Sequence, residues 1–206
     1  HPRDRRQRQM CIRDRRNTEA FHDVDLVPNV LAGVENIDMS VKVMGYELGL
    51  PIFCSPTALQ RLFHHQGERA VAKAAEKFNT LFGVSSLGTV KLKDIDEMIN
   101  TPKMFQFYFH KDRGLNDSMI VMAKEANFEI LTLTVDTITG GNRERDLRTG
   151  FTTPPKLTPK SIFQFGIKPA WALNYLFREK FELSQLSSHV NAVSYTHLTL
   201  PTISRV

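Results

Sequence analysis

Cysteine is scarce in this sequence: 206 residues contain two, Cys11 and Cys54. Two cysteines, one of them in the basic leader, are uninformative about disulfides. Cys54 ends the apolar run 51–54 and reads as a buried, reduced thiol. No apolar stretch approaches the ~20 residues a membrane-spanning helix needs, and nothing resembles a secretory leader. The expectation is a cytoplasmic protein, at most seated peripherally at the inner face of a membrane. Metal-ligand spacing is also missing. The adjacent His64 and His65 point apart on any regular element, and no acid or cysteine completes a set, so no metal site is expected.

An excess of one charge is missing from most of the chain as well. The formal charge is +5, but residues 1–16 alone hold seven Arg against two Asp. With that leader and Arg205 set aside, 19 basic and 20 acidic residues remain. A basic arm for nucleic acid would rest on residues 1–16 alone, while the near-neutral body offers no aromatic platform for such a partner. The leader 1–16 and the tail 193–206 both resemble translated adapter or non-coding sequence. They are set aside from fold reasoning, leaving 17–192 as the expected domain.

What is present is a repeating pattern. Residues 40–44 and 46–48, joined at Gly45, read as a short hairpin. Apolar strands are expected at 51–54, 80–84, 104–109 and 130–135. Helices are expected between them at 68–78, 91–99 and 114–126, each with one apolar face at helical spacing. Strand–helix alternation of this kind predicts a parallel sheet with right-handed crossovers. A doubly wound sheet should carry a glycine-rich phosphate turn after its first strand. Here Ser55-Pro-Thr-Ala-Leu-Gln60 follows instead, so the pattern favours the first four βα units of a (β/α)8 TIM barrel. Beyond Gly150 the alternation stops. Residues 151–190 read as a long, proline-rich loop or lid, with one short helix at 169–177.

In such a barrel the C-terminal strand ends converge on one face. They bring Thr57 with its neighbours, Ser85 and Ser86, Gln106 and Tyr108, and then Thr134 and Asp136. Neutral donors and acceptors in series suit the edge of a flat heteroaromatic ligand. Ordinary polar punctuation at strand ends is the alternative for any one of them. Asp136 is followed by a Gly pair and by Arg143 and Arg145, a site-like arrangement that a solvated charged loop would also explain.

Several segments together carry a family resemblance. They are Ser55-Pro-Thr-Ala58, Gly67-Glu68, Ser85-Ser86, Phe105-Gln-Phe-Tyr108, Lys111-Asp-Arg113, Leu133-Thr-Val-Asp-Thr137 and Gly141-Asn-Arg-Glu-Arg-Asp146. In order and spacing they resemble the FMN-dependent α-hydroxy-acid dehydrogenases and oxidases, of the L-lactate dehydrogenase and glycolate oxidase type. The resemblance implies FMN at the strand ends, met by the backbone of Pro56, Thr57 and Ala58 and hydrogen-bonded by Ser85, Gln106 and Thr134. It implies that Tyr108 and Arg143 meet the hydroxyl and carboxylate of a small 2-hydroxy acid, lactate favoured. Asp136 would hold the imidazole of the catalytic His. Electrons would leave to oxygen, a quinone or a cytochrome, and the whole enzyme would be a homo-oligomer. That His, a flavin-side Lys, a second substrate Arg and the phosphate site belong to the family's second barrel half and have no counterpart here. The expectation is an N-terminal half, inactive alone and prone to aggregate through open sheet edges. Another flavin barrel enzyme, such as an isomerase, is the nearest alternative, against which Arg143 after a strand-end acid argues.

Overall fold

A computed structural model describes residues 15–33, 35–110, 112–135, 148, 158–179 and 182–186. Two compact units divide the chain, one made of 1–38 and 140–149, the other of 39–139 and 150–206. In the first unit the described residues are helical over 15–19, turn through a 3-10 segment at Ala20–His22, and are exposed throughout.

The second unit carries the architecture. It opens with an antiparallel hairpin, β1 (Val41–Val43) and β2 (Tyr46–Leu48), where the sequence pattern placed one. Gly45 has φ +90° and Met44 φ +52°, the left-handed pair that a tight hairpin turn requires. A parallel sheet follows in the order β3 (Phe82–Ser85), β4 (Lys103–Tyr108), β5 (Ile130–Thr134). The expected first strand at 51–54 is reduced to one bridge between Cys54 and Phe82. Cys54 N–H donates to Leu81 O and Gly83 N–H donates to Cys54 O. Pro51 has no N–H to offer, and the hydroxyl of Thr80 rather than a strand takes the Ile52 carbonyl.

Helices connect these strands: α1 (Gln60–Phe63), α2 (Glu68–Lys77), α3 (Leu92–Asp96) and α4 (Arg113–Glu125). α1 was not expected, being a single turn. Both long connecting helices end on an asparagine in left-handed backbone, Asn79 and Asn127, which turns the chain back into the next strand. Asp112 caps α4 by accepting from Leu115 N–H. Two further helices, α5 (Pro159–Gly166) and α6 (Pro169–Phe177), stand in the region read as a loop. α6 matches the expected short helix and α5 does not. Each begins on its proline, where the missing N–H would have had no helical partner anyway.

Register divides the sheet into two faces. Phe82 and Val84 of β3 and Phe105 and Phe107 of β4 point to the helices and are buried with Leu92, Ile95, Leu115 and Met119. The opposite face carries Gly83 and Ser85, then Met104, Gln106 and Tyr108, then Ile130, Thr132 and Thr134. At its N-terminal end Met104 and Ile130 pack with Leu81, Leu48 and the hairpin, which seals the apolar end of that face. The polar residues lie at the C-terminal end.

Candidate functional site

Three consecutive strand ends hold one hydrogen-bond chain. Leu87 N–H donates to Ser85 Oγ at 3.2 Å, Ser85 Oγ donates to Gln106 Oε1 at 3.1 Å, and Gln106 Nε2 donates to Thr134 Oγ1 at 2.6 Å. The order is self-consistent. Because Ser85 Oγ already accepts from Leu87, its proton goes to the amide oxygen, which turns the Gln106 NH2 toward Thr134. Ser85 is 2% and Gln106 6% exposed, so both are held in a low-dielectric setting where bonded chains polarise one another. The second amide N–H of Gln106 and the hydroxyl proton of Thr134 are left to donate outward. Tyr108 sits in register with Thr134 on the same face, half-buried.

The loop after Cys54 is drawn onto this chain by two contacts. Leu59 N–H donates to Leu87 O at 3.1 Å, tying it to the Ser85–Leu87 turn. Pro56 lies over Gly83, where a Cβ would come within 2.8 Å of the Pro56 ring. Only glycine admits that approach, the reading a glycine inside a strand invites. Pro56 and Ala58 are half-buried and Thr57 is exposed, its hydroxyl donating to Ser55 O. Thus Pro56, Ser85, Gln106, Thr134 and Tyr108 are brought together, with Thr57 and Ala58 beside them. Asp136 and Arg143 lie outside the described residues.

Sequence reasoning missed what supports the turn. Glu68, fully buried at the start of α2, accepts from Thr89 N–H at 2.8 Å and from Thr89 Oγ1 at 2.6 Å. Thr89 Oγ1 in turn accepts from Arg61 N–H. Gly88 fits between Ser85 O and Glu68, where a Cβ would meet them at 2.8 and 3.4 Å. The Ser85–Thr89 segment is therefore fixed at both ends, and Ser86 Oγ within it is buried without a partner. Past β4, Asn116 clamps His110 by accepting its N–H at 2.8 Å and donating to its carbonyl at 2.9 Å. Burial lowers the His110 pKa below its ordinary value, against a smaller upward pull from Asp112. Among the described residues no group of three or more His, Cys, Asp or Glu could hold a metal, and no helix is long and apolar enough to cross a membrane.

Comparison with known proteins agrees with this geometry. The profile of the FMN-dependent dehydrogenase family matches residues 7–206. Glycolate oxidase 1 of Oryza sativa subsp. indica is 36% identical over 146 residues, 71% of this chain and 40% of that protein. The monotopic membrane protein (S)-mandelate dehydrogenase superposes with a TM-score of 0.76 at 25% identity, covering 84% of this chain and 46% of that one. A lactate oxidase structure from Pediococcus acidilactici gives 0.63 at 32% identity, covering 74% and 43%. The chain thus spans about 40% of the length of the curated relatives it matches. Its parallel strands form an open arc of a (β/α)8 barrel.

Proposed function

The chain belongs to the family of FMN-dependent dehydrogenases, and from that premise we propose that it is the first half of a barrel enzyme oxidising an L-2-hydroxy acid to the 2-oxo acid. The observation that carries this reading is the buried chain Ser85–Gln106–Thr134 across three neighbouring strand ends, with Tyr108 beside it. FMN, the cofactor of the family, is a flat heteroaromatic with donors and acceptors along one edge. The outward-facing donors of Gln106 and Thr134 and the orphaned Ser86 hydroxyl fit such an edge. When bound, FMN supplies a two-electron acceptor.

The chain's own residues have distinct tasks in this proposal. Pro56, Thr57 and Ala58 line the flavin with backbone, and Ser85, Gln106 and Thr134 hold its edge without net charge. Tyr108 takes the substrate hydroxyl. Arg143 pairs with the carboxylate through a planar fork that suits two-point contact. Asp136 stabilises the imidazolium formed when the base, a His supplied by the second barrel half, removes a proton from the substrate. In all, the substrate gives up two protons, one of them to that His, and two electrons, which pass on to oxygen, a quinone or a cytochrome.

A lactate-like acid is favoured by the likeness to a lactate oxidase, and the whole enzyme is taken to be a cytoplasmic homo-oligomer without nucleic acid. The exposed Ile162 and Phe163 of α5, Ile167 of the turn after it, and Leu173 and Phe177 of α6 support a peripheral seat on a membrane surface. The domain in this reading is 17–192, with 151–190 over the site. The test is the visible spectrum of the full-length protein before and after anaerobic L-lactate, glycolate or (S)-mandelate. A yellow protein bleached fastest by lactate supports the proposal. A yellow protein that none of them bleaches removes the activity, and a colourless folded one removes the flavin.

A further inference from the structure

The turn that carries Ser85 ends on Thr89, and every polar atom of Thr89 is engaged by another part of the chain. Its N–H and hydroxyl donate to Glu68 of α2, and its Oγ1 accepts from Arg61 N–H of α1. Its carbonyl accepts from Ser184 Oγ at 3.0 Å and from Arg61 Nη1 at 3.4 Å. Beside it Gln185 Nε2 donates to Val90 O at 2.8 Å and lies against Gly88, where a Cβ would come within 3.2 Å of it. Leu183 and Leu186 are buried in the core with Val90. Residues 182–186 are thus strapped across the end of the turn opposite Ser85.

Arg61 joins this strap to the turn from the side of α1. A helix of one turn is too short to hold itself, so outside partners fix α1. Trp171 Nε1 donates to Leu62 O at 2.9 Å, and Arg61 reaches two ways. While its backbone N–H and Nη1 bond Thr89, its Nη2 donates to Glu179 O and pairs with the Glu179 carboxylate at 3.3 Å. The Arg61 side chain is 8% exposed, and the donors of a guanidinium, spread over separate nitrogens, suit this two-way role where the point charge of an ammonium would not. Arg69 also holds Glu179, at 2.9 Å, but its other ion pair is Asp94, and among the described residues its side chain makes no bond to the turn. We infer that Arg61 is a positioning residue of the flavin site: it locks the Ser85–Thr89 turn to Glu179, in the root of the 151–190 segment, so that flavin retention and the seating of that root are coupled. The inference rests on the reading of the strand ends as the flavin edge.

Coupling between two sites is reciprocal, so it is read from both ends in the full-length protein. From one end, FMN release on dilution is followed by flavin fluorescence. Arg61→Gln should speed release about fivefold. Glu179→Gln, an exposed substitution that leaves the core untouched, should speed it about threefold, and it decides the matter should Arg61→Gln fail to fold. Arg69→Gln should release FMN at the wild-type rate, because Glu179 keeps its pair with Arg61. From the other end, trypsin cleavage after the exposed Arg178 is followed with and without FMN. FMN should slow it about fivefold in the wild type and not in Glu179→Gln, a dependence that a purely structural ion pair would not produce. Release from Glu179→Gln at the wild-type rate, equal release from Arg69→Gln and Arg61→Gln, or FMN protection that survives in Glu179→Gln would each overturn the inference. A colourless wild type would remove the flavin reading itself, and the inference with it.

Discussion

Phe105 and Phe107 on β4 and Leu131 and Leu133 on β5 occupy one face of one sheet, in register, residue beside residue. The phenylalanines are 0% and 5% exposed, the leucines 48% and 46%. Alternation along each strand sets which face a side chain takes. Cover depends on what packs outside it, and α3 and α4 cover β4 while no described helix covers β5. The other edge behaves alike, with Ile52 69% and Phe53 48% exposed beside the single Cys54 bridge. A sheet closed in its middle and bare at both edges is what an arc of a barrel should show.

The largest effect expected is on the covered side. Phe105→Ala should cost about 3–5 kcal/mol in urea unfolding of this chain, whereas Leu133→Ala should cost less than about 1 kcal/mol. Equal costs would break the comparison. In the full-length protein the Leu133 cost should rise toward that of a core leucine, about 2–5 kcal/mol, which would sharpen it. Glu68→Ala comes next. It strips the N–H and hydroxyl of Thr89 of their acceptor, a loss of about 1–3 kcal/mol by the same assay, and Glu68→Gln should recover part of it. On the site face, Gln106→Ala should cost about 1 kcal/mol, since it leaves the buried Ser85 hydroxyl without its acceptor, and weaken FMN retention by the full-length protein about tenfold, measured by flavin fluorescence.

The smallest effect concerns pH. The folded His110 has a lowered pKa, so the fold favours its neutral form. That contribution is complete above the ordinary value of 6.5 and is lost as pH falls through it toward the lower folded value. His65 acts in the same direction. Urea midpoints should therefore drop below pH 6.5, and His110→Gln should flatten part of the slope.

Much of this arrangement was legible in the residues. The hairpin followed from Gly45 between two alternating runs, and β3, β4 and β5 from their apolar runs. The hydroxyl and amide residues at the strand ends do meet, because equivalent positions of parallel strands share a face. The first strand was misjudged because Pro51's missing donor was given too little weight and no sequence shows the Thr80 hydroxyl occupying Ile52 O. α1 is too short for a helical period to show, and Pro159 was read as a breaker where it starts a helix. Glu68 illustrates a deeper limit. A glutamate at the head of an amphipathic helix looks solvated, and only the fold reveals that it is buried and bonds the turn carrying Ser85.

The central claim is that this chain holds the flavin-edge half of a barrel and needs the other half to use it. The most direct measurement is FMN retention on gel filtration, for this chain alone, for the separately produced remainder of the same protein, and for the two refolded together. The account predicts a yellow peak only from the joint refolding. Stoichiometric FMN on this chain alone, or no yellow peak from the joint refolding, would contradict the account.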